Sequence, residues 1–87
     1  MTSLPVIRIA ALGVPVFLLD QRIVSLRWYE WDPGHGCNLA YVTDSGSEAT
    51  DDWFDDADAL IEFAREEFNV GRSDWRLAGQ GDTKSPP

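Results

Sequence analysis

The chain has 87 residues, with 15 acidic side chains against seven basic ones and a formal charge of −8. That length holds one domain, with no room for a cofactor domain beside a substrate domain. A 44% hydrophobic, 25% charged composition is an ordinary globular balance and excludes disorder throughout. The seven cations (Arg8, Arg22, Arg27, Arg65, Arg72, Arg76 and Lys84) form no cluster, so neither direct nucleic-acid binding nor attachment to an anionic membrane is expected.

In chain order, Leu4–Ala11 carries β-branched Val6, Ile7 and Ile9 and reads as a strand. Gly13 is expected to break it, and Val14–Leu19 to form a second strand whose Pro15 is tolerable at an edge. The apolar run Ile9–Leu19 behind Arg8 is too short to span a bilayer. No small-x-small cleavage site follows it, so it reads as structure rather than as a leader. Asp20-Gln21 is the expected turn into a long third strand, Arg22–Trp31. There Val24, Leu26 and Trp28 share one face, and Ser25, Arg27, Tyr29 and Trp31 the other.

Asp32–Gly36 is a strong turn signal, with Pro33 setting φ and two glycines able to take positive φ. Cys37–Thr43 reads as a fourth strand, and Asp44–Ser47 as a further turn. From Asp55 to Phe68 the apolar residues Ala57, Leu60, Ile61, Ala64 and Phe68 recur at helical spacing. Asp52 or Asp55 is the expected cap, and Asn69-Val70-Gly71 the stop. Residues Arg72–Ala78 are expected to form a short strand or to pack Trp75 and Leu77 on the core. The expected fold is therefore α+β: an antiparallel β-meander of three to four strands covered on one face by a single C-terminal amphipathic helix. It occupies residues 1–78, with 79–87 a disordered tail.

Charge is unevenly spread. Residues 32–68 hold eleven acids against Arg65 alone, while the flanking segments are each close to neutral. Asp55, Asp58, Glu62 and Glu66 recur at three- and four-residue intervals along one helical stripe, at a cost in like-charge repulsion. A solvated, solubilising face and a surface for a basic partner both account for such a stripe. Trp28 is expected in the core. Tyr29 and Trp31 are expected on the uncovered sheet face, where aromatic side chains make adhesive surface.

Signals for chemistry are thin. The lone Cys37 cannot make an internal disulfide, which favours a reducing, cytoplasmic setting. Asp44–Asp55 has the oxygen content of a calcium loop but Ala49 where the sharp turn needs glycine. Asp32, His35 and Cys37 fall one ligand short of a structural zinc site. His35 and Cys37 are suitably spaced for a nucleophilic pair but have no third, orienting group. No phosphate-binding loop and no nucleophile elbow is present.

The leading expectation is a non-enzymatic interaction or inhibitor protein, without cofactor or metal. It would dock through Asp51, Asp52, Asp55, Asp58, Glu62 and Glu66, with Tyr29 and Trp31, on a basic protein surface, including that of a nucleic-acid-binding protein. In small size and acidity the chain is similar in type to phage anti-defence inhibitors (anti-CRISPR and anti-restriction proteins), immunity proteins and antitoxins, though it carries no family motif. The alternatives are a small metal- or ligand-binding module and a non-catalytic enzyme subunit. A homodimer through an exposed sheet face or edge is also consistent with the sequence.

Overall fold

A computed structural model of the chain describes residues 5–31 and 36–78. The segment expected as a tail, 79–87, and most of the turn expected at 32–36 lie outside the described residues. The architecture is α+β. An antiparallel sheet is built from β1 (Val6–Leu18), β2 (Gln21–Glu30), β3 (Cys37–Thr43), β4 (Glu48–Phe54) and the two-residue β5 (Arg76–Leu77), with one helix, α1 (Ala57–Phe68). The strand order is β4-β3-β2-β1-β5.

Two expectations about strands are corrected. Gly13 does not divide β1, which runs unbroken for 13 residues. The irregularity is absorbed as a bulge instead, with four residues, Leu12–Pro15, set against Val24 alone. A bulge keeps the chain extended while taking up surplus length. Glu48–Phe54 is a strand, although its acids lower β propensity. It lies at the sheet edge, where exposed acids are readily solvated.

The β1–β2 turn falls at Leu19-Asp20, one residue before its expected place, and both residues have positive φ (53° and 63°). That conformation matches the twist of a hairpin, but it normally recruits Asn, Asp or Gly. A leucine there is strained. The β3–β4 turn is as expected: Gly46 at φ 94° donates its N–H to the Thr43 carbonyl, and the Thr43 N–H donates to the Ser47 carbonyl.

Cross-strand register sorts the side chains. Arg8, Trp28, Leu39 and Asp52 share one row, and Ala10, Leu26, Tyr41 and Thr50 the next, both on the covered face. Leu26, Leu39 and Ile23 are fully buried there with Leu60 and Ala64 of the helix. Val24 leaves the face assigned to it because β2 has its own irregularity between Ile23 and Ser25, which brings Ile23 into the core instead. Trp28 is buried as expected, with Trp75 edge-on at 5.3 Å and the Arg8 guanidinium 4.3 Å from its ring centre.

The helix begins one residue after its true cap. Asp56, rather than Asp52 or Asp55, accepts the Ala59 N–H on its carboxylate at 2.8 Å. Asn69 ends it in the left-handed conformation. Gly71 then donates its N–H to the Asp74 carboxylate at 2.7 Å, and the short turn Arg72–Asp74 leads into β5.

Asp56→Ala should lower unfolding stability by about 1 kcal/mol in a urea titration, whereas Asp55→Ala should leave the midpoint nearly unchanged. Leu19→Asn should raise stability by up to about 1 kcal/mol through relief of the strained turn.

Candidate functional site

The residues singled out for partner binding are divided by the sheet. Tyr29, Trp31 and Asp51 project from the open face, and Asp52 from the covered one. Asp58, Glu62 and Glu66 sit on the solvent side of α1. Asp55 is exposed between β4 and the helix. Since α1 packs over β3 and β4, the acids of β4 and of the helix meet along one margin of the molecule.

The helical stripe is partly neutralised by the chain's own arginines. Arg65 lies 2.6 Å from Glu62 and 3.8 Å from Glu66, and Arg72 lies 3.5 Å from Asp58. All are well exposed, so these pairs contribute little to stability, though they do reduce the local field. Arg22 lies 3.5 Å from Asp44, and Arg27 lies 2.7 Å from Glu48. Residues 44–67 carry ten acids and one arginine, so arginines from outside the segment offset only three of its nine excess negative charges.

Asp52 is engaged internally, accepting the Tyr41 hydroxyl at 2.5 Å. Burial, then the hydrogen bond to Asp52, pushes the Tyr41 hydroxyl well above the ordinary tyrosine range. Asp52 is therefore a structural acceptor as well as a charge on the margin.

The open face is a polar–aromatic surface. Tyr29 and Trp31 stack with ring centres 6.5 Å apart at 18°. The Trp31 indole donates to Asn38 Oδ1 at 3.0 Å, and Asn38 donates onward to Asp51 Oδ2 at 2.9 Å. Arg27 donates to Tyr29 Oη at 3.4 Å and to Glu48, and the Tyr29 hydroxyl donates to the same Glu48 carboxylate. The hydrogen bond to Tyr29 raises the Arg27 pKa, while burial and then Glu48 raise that of Tyr29. These bonds hold Tyr29 and Trp31 in place.

Trp53, in register with Asn38 and Tyr29, is more exposed than Trp31 and completes the surface. It rests on Gly36 at φ 88°, where a Cβ would collide with the Trp53 indole and the Phe54 carbonyl. Trp53, Asn38 and Glu48 were not among the residues expected here. The signal for Glu48 and Trp53 lay in the two-residue alternation of Glu48–Phe54, which composition obscured, and that for Asn38 in the alternation of Cys37–Thr43.

Cys37 is buried in β3, and burial pushes its thiol up to about 11, the reverse of what activates a nucleophile. His35 and Asp32, its partners in the candidate pair and zinc cluster, lie outside the described residues. Among the described residues, no group of three or more His, Cys, Asp or Glu side chains is placed to hold a metal ion. None of the described helices is long and apolar enough to cross a membrane. An open groove of about 760 Å³ runs beside β1, lined by Ile9, Val14, Phe68, Asp74, Arg76 and Leu77. Two indole N–H groups, of Trp28 and Trp75, are buried without an acceptor among the described residues.

Comparison with protein families, curated proteins and solved structures found no match to this chain.

The thiol of Cys37 gives a pH dependence of known sign. The folded state keeps this proton up to about pH 11, while an unfolded thiol releases it near 9.0. The stabilisation is complete below the lower value and is lost as pH rises through the upper one. Urea midpoints should therefore fall as pH rises from about 9 to 11, and Cys37→Ala should flatten part of that fall, with Tyr41 and Tyr29 accounting for the rest.

Proposed function

We propose that this chain is a non-enzymatic interaction protein whose acidic margin, formed by β4, the Asp55–Asp56 corner and the outer side of α1, docks on a basic surface of a partner macromolecule. The observation that carries this reading is the excess of six negative charges left on residues 44–67 after the arginines of other segments are counted. These acids lie mostly exposed on adjoining elements, so their fields add around the β4 edge of the molecule. Such a field accelerates association with a cationic surface and selects against anionic ones.

Arg65 and Arg72 weaken the helix stripe, and Arg27 weakens β4 at Glu48, so the contact draws on the whole margin rather than on either element alone. At β4 the charge adjoins aromatic surface: Asp51 and Trp53 emerge on the open face beside Asn38. Tryptophan next to carboxylates suits arginine and lysine, which stack on indole rings and pair with the acids. A basic surface that ordinarily receives nucleic-acid phosphates has the same requirements. Competition with nucleic acid is thus the form of inhibition this chemistry supports.

The test is affinity capture from the native cell with the wild-type chain and with a triple variant, Asp55→Lys, Glu62→Lys and Glu66→Lys. None of these carboxylates bonds to an element other than its own among the described residues. A basic partner should be retained by the wild type, released by raised salt and lost with the variant. Retention by both chains, or indifference to salt, would contradict the reading.

A further inference from the structure

We propose that the chain forms a two-fold dimer in which the free outer edge of β1 meets the same edge of a second copy. The inference is independent of the acidic margin and rests on the contrast between the two edges of the sheet.

At one edge, β4 carries Glu48, Asp51 and Asp52, with Asp55 just beyond it. Acidic side chains on both faces prevent a further strand from pairing there. At the other edge, β5 pairs only with Arg8 and Ile9, so Ala10–Leu18 has no strand paired to its outer side among the described residues, where Asp74 and Arg76 border the groove beside Ala11–Val14. Ile9–Leu19 contains no charged residue. In a chain of formal charge −8, this is where two copies can approach with least repulsion.

The side chains there are those of a contact surface. Val14, Phe17 and Leu19 are 77%, 66% and 68% exposed, more than any other large hydrophobic among the described residues. Leu19 occupies a left-handed position that its side chain makes costly, so an apolar group is held at the hairpin tip against local preference. The groove beside β1, lined by Val14, Phe68 and Leu77, leaves room for incoming side chains.

The free stretch Ala10–Leu18 is centred on Val14. Antiparallel pairing of two copies about a two-fold axis at Val14 sets each Pro15 opposite a Gly13 of the other copy. Pro15 removes one donor from the edge, and Gly13, with nothing within 4 Å of where its Cβ would stand, presents no side chain to the ring set opposite it. The interface is self-complementary, as a closed pair requires.

The experiment is sedimentation equilibrium of the full chain, wild type and variants, with circular dichroism to confirm folding. The wild type should be dimeric with a dissociation constant below about 100 μM. Val14→Glu sets two carboxylates on the axis and should weaken the dimer about tenfold or more. Phe17→Ser, at a second exposed position, should weaken it in the same direction, and Trp53→Ser should leave it unchanged. A wild type still monomeric at about 1 mM would overturn the proposal. So would a dimer indifferent to Val14→Glu, or one lost instead with Trp53→Ser, which would move the contact to the open face.

Discussion

The burial of Leu60, Ile61 and Ala64 against Leu26 and Leu39 is the constraint on which the rest of this molecule depends. One helix of 12 residues is about 18 Å long and can cover only part of a five-stranded sheet. It lies over β3 and β4, and the face above β1 and β2 is closed by Trp28, Trp75 and the return of the chain through β5. The opposite face has no covering layer among the described residues. Each exposed feature follows from this arrangement: an aromatic open face, an acidic margin where the helix meets β4, and an apolar hairpin that the helix does not reach.

The charge distribution follows the same division. Acids accumulate on the elements that join the helix to the sheet, while Arg8, Arg22, Arg27 and Arg76 belong to the β1–β2–β5 side. Two of these arginines and Arg72 reach toward the acidic segment, and Arg65 pairs within it. They reduce the repulsion that the fold must tolerate without abolishing the field. Electrostatic cost and electrostatic reach are thus set by the same side chains.

Much of the architecture was legible in the sequence because its signals were local and strongly periodic. The strands around Ile7, Leu26 and Leu39, the helix under Leu60 and Ala64, the Gly46 turn and the buried Trp28 all follow from patterning within about ten residues. What failed to show depended on the third dimension. Gly13 looked like a break because a bulge and a break leave the same local mark. Glu48–Phe54 did not read as a strand because its acids suit only an edge position, and edge position is a property of the whole sheet. For the same reason the candidate site was read as one surface. Tyr29 and Glu62 both belong to exposed faces, but only the register of the strands and the seat of the helix put them on opposite sides of the molecule.

The acids of β4 also set a limit on how far such sheets can extend. A sheet with an uncharged strand at one edge and a carboxylate-bearing strand at the other is poorly suited to propagate head to tail, because each added copy would have to lay its bare strand against the acids of β4. Any joining of sheets through β1 consumes the single receptive edge of both molecules and stops there. In the proposed dimer Asp51 and Asp52 would act as terminators, since the remaining edge of each sheet carries their charge.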